Sequence, residues 1–325
     1  MKIAFIIPSL INKGPIIVVD TIIRHLTDKV EQIDVFYFDD KFGVDFNCAT
    51  HKINFNQPID FDEYDIIHSH GYRPDKYVNK WRRHIVKAKT VSTIHADIAQ
   101  DLKYSYNIFV SFVFTRIWHR FLSKMDLVVV ISDKLKKIYQ HKISNLVLVY
   151  NGVDVVLDES RRDAGVVSQI IELHNAGFKV VGTYAYLTRR KGLEQLIRLL
   201  PARSDLAVII IGQGEAKQEL MTLSNELAVR TQVVFFDYLP TPYNYVSLFD
   251  VYAMCSRSEG FGLALVEAAL TKASIVCSDI EVFREIFNDT QVSYFVLDDI
   301  KSLSNSIDVA LSDKGELKGI EAYTR

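Results

Sequence analysis

The chain predicts an α/β fold built twice, as two parallel sheets with helices on both faces, one sheet in each of two consecutive domains. Short runs rich in Val, Ile and Phe alternate with stretches whose apolar residues fall at helical spacing. That alternation runs through the first half and starts again near residue 179. The length of 325 residues is too great for one small core and suits two domains. Strands joined repeatedly by crossover helices give parallel sheets of the doubly wound, Rossmann-like kind.

In the first half the strands are expected at 2–7 (KIAFII), 33–38 (IDVFYF), 64–68 (YDIIH), 90–94 (TVSTI), 126–131 (DLVVVI) and 146–150 (LVLVY). Helical patterns lie at 15–27 and 104–124. In the second half the strands are expected at 179–183, 206–211, 232–236, 250–254 and 274–277, and the helices at 191–200, 215–228, 262–272 and 299–311. The stretch 155–178 lacks strand patterning and contains Gly177, so the linker is placed there, between domains 1–160 and 161–325.

Composition narrows the classes. Hydrophobic content of 49% and charge of 24% are ordinary for a folded globular chain. Cys48, Cys255 and Cys277 lack paired-ligand spacing, which speaks for a reducing compartment and against a disulfide scaffold or a cysteine zinc site. The opening MKIAFIIPSL reads as a buried strand, not a signal peptide, and no apolar run approaches the ~20 residues of a membrane span. A cytoplasmic protein is the expectation. The net charge of −2 hides an asymmetry: residues 73–142 hold 15 Lys/Arg against 5 Asp/Glu. Such an excess attracts anionic lipid, phosphorylated substrates or nucleic acid, or is merely a solvated face spread over several helices. No nucleic-acid recognition module is legible, so nucleic acid is not expected as a partner.

Ligands of open parallel sheets bind outside the carboxyl ends of the strands, and two facing sheets would form a cleft for small-molecule chemistry. The loops to inspect are therefore 8–14, 68–73, 95–97, Ser132, 151–154, 184–191, 212–215 and 256–262. The most telling is SRSEGFGLALVEAALTKASIVCSD, 256–279. A strand ends near Met254, Gly260 and Gly262 punctuate a turn, and a helix starts near Leu263. The amides of Gly262, Leu263 and Ala264 would point outward, a setting that favours phosphate. Glu259 and Glu267 flank this turn with seven residues between them. A carboxylate beside phosphate is repelled unless it accepts from donors of its own, and sugar hydroxyls are such donors. A nucleotide-sugar fits both demands. The plainer reading makes Glu259 a helix-start charge and Glu267 a solvated helix residue.

The ordered landmarks decide between these. The chain resembles the family 4 glycosyltransferases, retaining enzymes of the two-domain GT-B architecture, and is similar to those that build bacterial surface polysaccharides. The EGFG-x-x-x-x-E signature stands here as 259–262 and Glu267, after LFDVYAMCS with Asp250 and Ser256. DIIHSHG (65–71), STIHADIAQD (92–101), DLVVVIS (126–132), YNGVD (150–154), RKG (190–192) and IIIGQGE (209–215) follow the family's order over nearly the whole chain. The resemblance implies that Glu267 holds the ribose hydroxyls and that Glu259, with the amides of 261–263 including Gly262 and Leu263, holds the donor sugar and distal phosphate. It implies that Lys191 contacts the diphosphate, that Gly14 lets the N-terminal loop approach the phosphates and sugar, and that His95 lies near the reacting sugar carbon. It implies a nucleoside-diphosphate sugar as co-substrate, retention of configuration, and no metal or other cofactor, in keeping with the lack of an Asp-x-Asp motif.

Three departures bear on donor identity and diphosphate geometry. Ala185-Tyr186 stand where the family has Gly-Arg, so Arg189 or Arg190 would supply the cation. The first-domain double glycine is reduced to Lys13-Gly14-Pro15, and the Gly-x-Pro after the second glutamate is Lys272-Ala273-Ser274.

Other readings stay open at this level. His68, His70 and His95 suit hydrogen-bonded loop histidines, or a three-histidine metal site. The aromatic segment 104–124, ending in Arg116, His119, Arg120 and Lys124, suits a helix covering the first sheet, or a patch docking peripherally on the inner face of an anionic membrane. The expected function is transfer of a hexose-type sugar to a hydroxyl of a lipid-linked, lipopolysaccharide or capsule glycan. The alternatives are a nucleotide-sugar epimerase or phosphorylase of the same architecture, or a non-catalytic partner subunit. A nicotinamide dehydrogenase is disfavoured, since no Gly-x-Gly-x-x-Gly follows the first strand of either domain.

Overall fold

Seven parallel strands form the sheet of the first unit, Met1–Asp154, in the computed structural model. The structure describes residues 1–105 and 108–324, the side chains of 102–110 excepted. In chain order the main elements are β1 (Lys2–Ser9), α1 (Gly14–Leu26), β2 (Gln32–Asp39), β3 (Ala49–Lys52), β4 (Ile66–His70), α2 (Tyr72–Lys80), β5 (Lys89–Ile94), α3 (Ile98–Ser105), α4 (Ile108–Leu122), β6 (Leu127–Val130), α5 (Asp133–Tyr139) and β7 (Leu146–Leu148). The sheet order is β3-β2-β1-β4-β5-β6-β7, with Ile3 in register with Ile33 on one side and Ile66 on the other.

The apolar strands are where the sequence places them, because strands buried on both faces are near-continuous apolar runs. β3 was not legible. Its residues ATHK are exposed, and it sits at the sheet edge, where nothing requires apolar patterning. The expected helix 104–124 is two helices. Asp97 accepts from the amides of Ala99 and Gln100, which starts α3 earlier than periodicity alone suggests. Of the 104–124 segment, the side chains of 104–110 lie outside the described residues. The rest divides its faces. Ser111 and Leu122 are buried, and Tyr72 packs against Phe114, Trp118 and Phe121 at ring distances of 5.5, 5.5 and 5.9 Å. Phe112, Val113 and Phe114 nonetheless remain exposed. Among the described residues no helix is long and apolar enough to cross a membrane.

Asp75 ties α2 and α4 to the sheet. Its fully buried carboxylate accepts from Ser69 Oγ at 2.6 Å, Ser92 Oγ at 2.8 Å and Trp118 Nε1 at 2.6 Å. Burial pushes it up to about 6, more than the three donors pull it down. A carboxyl raised in the folded state favours folding at low pH and costs stability as pH rises through the folded value. Asp75→Asn can turn its oxygen to Trp118 and its amide to the two hydroxyls, which also accept. The expected outcome is a variant at least as stable as the parent at pH 8. Asp75→Ala takes the acceptor from Ser92 and Trp118 and leaves Ser69 only its longer contact to Val91 O at 3.3 Å, and is expected to lose about 2–4 kcal/mol. Chemical denaturation at pH 5 and pH 8 checks both, and an Asn variant less stable than the parent at pH 8 would contradict the sign.

The second unit, Val155–Arg325, has six parallel strands in the order β10-β9-β8-β11-β12-β13. Its elements are α6 (Ala164–Asn175), β8 (Lys179–Tyr184), α7 (Glu194–Leu199), β9 (Leu206–Ile211), α8 (Lys217–Glu226), β10 (Val233–Phe236), β11 (Val251–Met254), α9 (Leu263–Ala269), β12 (Ile275–Ser278), α10 (Glu281–Ile286), β13 (Ser293–Phe295), α11 (Ile300–Ala310) and α12 (Asp313–Thr324). Side chains alternate along each strand. Val181, Val208, Ile210 and Val251 pack on one face with α7, α8 and α11. Val180, Ile209, Tyr252 and Met254 pack on the other with α6, α9 and α10. Half of the stretch expected as linker is thus α-helix: Asp163 caps α6 by accepting from Gly165 and Val166, and Val166 and Ile170 join this second face.

Strand order reverses between β1 and β4 in the first unit and between β8 and β11 in the second. Each reversal is a switch point, where neighbouring loops leave the sheet in opposite directions and open room for a ligand.

Candidate active site

At the second switch point β8 ends in Tyr184 and β11 in Met254. After β8 the backbone lies against the glycine loop that follows β9. Leu187 donates to Gln213 O, and Ala216 donates to Leu187 O. Gly212 and Gly214 sit at φ 145° and 157°, and a Cβ on either would meet backbone oxygen at 1.9 or 2.1 Å. The IIIGQGE landmark is therefore a close backbone approach that only glycine permits.

The chain then makes one tight turn, Arg189–Lys191, closed by Gly192 at φ 62°. A Cβ on Gly192 would lie 2.3 Å from Cys255 O. Arg257 N donates to Arg190 O, and Gln195 Nε2 reaches both Gly192 O and Cys255 O. The turn is thereby fastened to the end of β11. Lys191 belongs to this turn, not to the helix expected at 191–200, which starts only at Glu194.

That fastening brings the cations to Glu259. Its carboxylate, 8% exposed, accepts from Lys191 Nζ at 2.6 Å, Ser256 Oγ at 2.7 Å and Arg190 Nη1 at 3.2 Å. Burial alone would raise this carboxyl, but Lys191 and Arg190 outweigh it and hold it at about 2. Arg190 also donates to Ser258 O, whereas the exposed Arg189 pairs with Glu219. Of the two arginines that could replace the missing family cation, the turn brings Arg190 to Glu259.

Beyond Glu259 the turn passes through Gly262 at φ 106°, where a Cβ would press to 2.8 Å on the Phe283 ring. The first bonds of α9 run from Leu265 and Val266 to Gly262 O, so the amides of Leu263 and Ala264 precede the helical ladder. α9 has 7 residues, so any anion preference here rests on these amides more than on a long helix dipole. Glu267 lies one turn on, half-buried, and its Oε2 accepts from Tyr184 OH at 2.7 Å. Burial raises its carboxyl and Tyr184 partly offsets this. The two carboxylates flanking the turn are thus pushed in opposite directions. Tyr184 is the residue the sequence did not reveal. A tyrosine ending an apolar strand looks like core, and only the register of β8 beside β11 sets it under Glu267.

In the first unit, Gly14 opens α1 and is not among the glycines at positive φ. His95 follows β5, with Nε2 2.8 Å from Nδ1 of His70. His68 Nε2 is 2.8 Å from Thr93 Oγ1. Burial lowers His95 to about 3 and His68 to about 4. His70 thus bonds to His95 and His68 to Thr93, and among the described residues no group of three or more His, Cys, Asp or Glu is arranged to hold a metal ion.

Comparison with known proteins agrees with this layout. The family model described as Glycosyltransferase Family 4 matches residues 19–157, and that described as Glycosyl transferases group 1 matches residues 168–325. The O-antigen biosynthesis glycosyltransferase WclY of Escherichia coli is 31% identical over 316 residues, covering 95% of this chain and 88% of that one. An N-acetylgalactosaminyltransferase of Campylobacter jejuni, which acts on a diphospho-undecaprenol-linked glycan, is 29% identical over 156 residues, 44% of this chain and 43% of that one. Among solved structures, HepE of Anabaena with UDP and glucose superposes with TM-score 0.80 at 18% identity, covering 100% and 94% of the two chains. WaaG, a glycosyltransferase of lipopolysaccharide biosynthesis, superposes with TM-score 0.75 at 13% identity, covering 99% and 94%.

Proposed function

The chain belongs to glycosyltransferase family 4, as a bacterial surface-polysaccharide glycosyltransferase, and from that premise we propose that it moves a hexose-type sugar, with retention, from a nucleoside diphosphate to a hydroxyl of a lipid-linked or lipopolysaccharide-type glycan. The observation that carries this reading is the Lys191–Arg190–Glu259 cluster beside the 260–262 turn at a switch point.

The diphosphate takes Lys191, Arg190 and the amides that open α9. Glu259, relieved of its cations, accepts from sugar hydroxyls, and Glu267 accepts from the ribose. The acceptor oxygen bonds to the anomeric carbon as the bond from that carbon to the phosphate oxygen breaks. The acceptor's proton passes to the departing phosphate. Two fixed cations stabilise the charge gathering on the leaving group, and positioning supplies much of the rest. In this reading they take the part that a metal plays elsewhere. The places of His95 and Gly14 rest on the family resemblance.

HepE has been solved with UDP and with UDP-glucose, so UDP-sugars are the first donors to try. Calorimetry with UDP, GDP and their sugars, followed by transfer with a labelled donor in the presence of a chelator, tests the proposal. Expected are micromolar binding of one donor class and an axial-type, retained linkage in the product. Loss of transfer on chelation would remove the metal-free part. A labelled sugar isomerised without an acceptor would favour an epimerase, and release as sugar phosphate a phosphorylase. Failure to bind any nucleotide would favour a non-catalytic partner subunit, a reading to which Tyr186 in place of the family arginine gives some support.

The acceptor side suits a membrane surface. Phe112, Arg116 and Arg120 follow one another four residues apart on α4, so they share one exposed stripe, beside exposed Val113 and Phe114, and Lys124 is exposed just past the helix end. Cosedimentation with vesicles containing phosphatidylglycerol is expected to exceed that with phosphatidylcholine alone. It should fall at least about thirtyfold for Arg116→Glu/Arg120→Glu, since two cations lost at roughly 1 kcal/mol each remove about 2 kcal/mol and the reversed charges add repulsion. Equal binding to both vesicles would reject the surface.

A further inference from the structure

His68, His70 and His95 stand in a row at the carboxyl ends of β4 and β5, with ring centroids 4.3 and 5.1 Å apart. Phe5 of β1 packs against the first two, at 5.3 and 6.0 Å. His70 is 1% exposed. Its Nδ1 meets His95 Nε2 at 2.8 Å, and its Nε2 is buried without a hydrogen-bond partner. Two ring nitrogens at that distance share one hydrogen, and the neutral rings have two ways to place it.

If His95 Nε2 carried the hydrogen, His70 would accept at Nδ1 and keep its own hydrogen on Nε2. That would leave a buried N–H with nothing to donate to. If His70 Nδ1 carries it, His70 Nε2 has only an unused lone pair. Orphaned buried N–H groups are the rarer defect. The second arrangement therefore prevails, and it decides the partner ring. With Nε2 occupied as an acceptor, His95 carries its hydrogen on Nδ1. A charged ring would escape this choice, but burial disfavours charge on all three histidines, and a cation on one would face the other two.

We propose that His70 is a positioning residue that fixes His95 as the Nδ1–H tautomer. His95 then serves transfer as a hydrogen-bond donor to an oxygen of the donor sugar, and not as the base that takes the acceptor's proton. The sugar contact rests on the transferase reading above, whereas the tautomer does not.

Imidazole nitrogen NMR on the intact, unliganded protein tests the tautomer directly. The expected spectrum shows His95 protonated at Nδ1 and unprotonated at Nε2 from pH 6 to pH 8. Protonation at Nε2, or a mixture of the two forms, overturns the proposal. His70→Ala is expected to give that mixture and to slow transfer about tenfold, the scale of one hydrogen bond. In His70→Asn a side-chain amide stands near the place of Nδ1 and can donate, so it should keep the wild-type His95 spectrum and come within about threefold of the parent rate. An unchanged His95 spectrum in His70→Ala overturns the role of His70. Should the wild-type protein transfer no sugar at all, the transferase reading falls, while the spectrum still judges the tautomer.

Discussion

Replacing Glu267 by Ala is expected to weaken binding of the nucleoside-diphosphate sugar by more than about 100-fold, because two hydrogen bonds to a charged acceptor are worth ~1.5–3 kcal/mol each. The fold should survive. Among the described residues the only side chain that donates to Glu267 is Tyr184, which also lies within reach of Ala264 O at 3.2 Å. Burial raises the Glu267 carboxyl, so its ionised form is a cost to folding that grows as pH rises through its folded value. Relative to the parent, the Ala variant should therefore fare better at pH 8 than at pH 4. Calorimetric titration gives the affinity, and melting curves at the two pH values give the stability. Unchanged affinity would remove Glu267 from the donor site.

Lys191→Met should cut both transfer and stability. Loss of a fixed donor aimed at developing charge typically costs about 10²–10³ in rate. The stability loss comes from Glu259, whose carboxylate is buried and depends on Lys191 at 2.6 Å. Its folded pKa of about 2 lies below the ordinary glutamate value, so this pairing contributes stability above pH ~4.5 that is lost as pH falls towards 2. With Arg190 and Ser256 still in place, the expected loss at pH 7 is about 2 kcal/mol, somewhat under that of a buried pair left with one partner. Adding Glu259→Gln to Lys191→Met should recover most of that stability and none of the transfer rate. If the double variant is no more stable than the single one, Glu259 is not the source of the loss.

Much of the fold is legible in the sequence, and the exceptions have physical causes. β9 is apolar at every position and buried throughout, so its sequence could hardly be anything else. The polar edge strand β3 and the short α2, with three apolar side chains buried, offer no such regularity. The landmarks around Glu259 and Glu267 fall on one turn and the helix after it, but spacing alone does not say whether Arg189 or Arg190 reaches Glu259. That choice is made by Gly192, whose left-handed backbone and close approach to Cys255 O orient the preceding turn. Tyr184 escaped for the converse reason: its role depends on which strand lies next to β8, a fact of topology that no local window contains.

The Glu259 clamp also has a bearing on selectivity. Lys191 and Arg190 already own a counterion, built into the chain, so under the proposed function the donor enters by swapping one negative partner for another. Chloride, with a single charge and no fixed geometry, gains little from such an exchange, while a pyrophosphate bridge offers more charge than the incumbent. Everyday salts of the cell should therefore be poor competitors for the seat, and a donor's affinity should fall with ionic strength only as fast as screening requires.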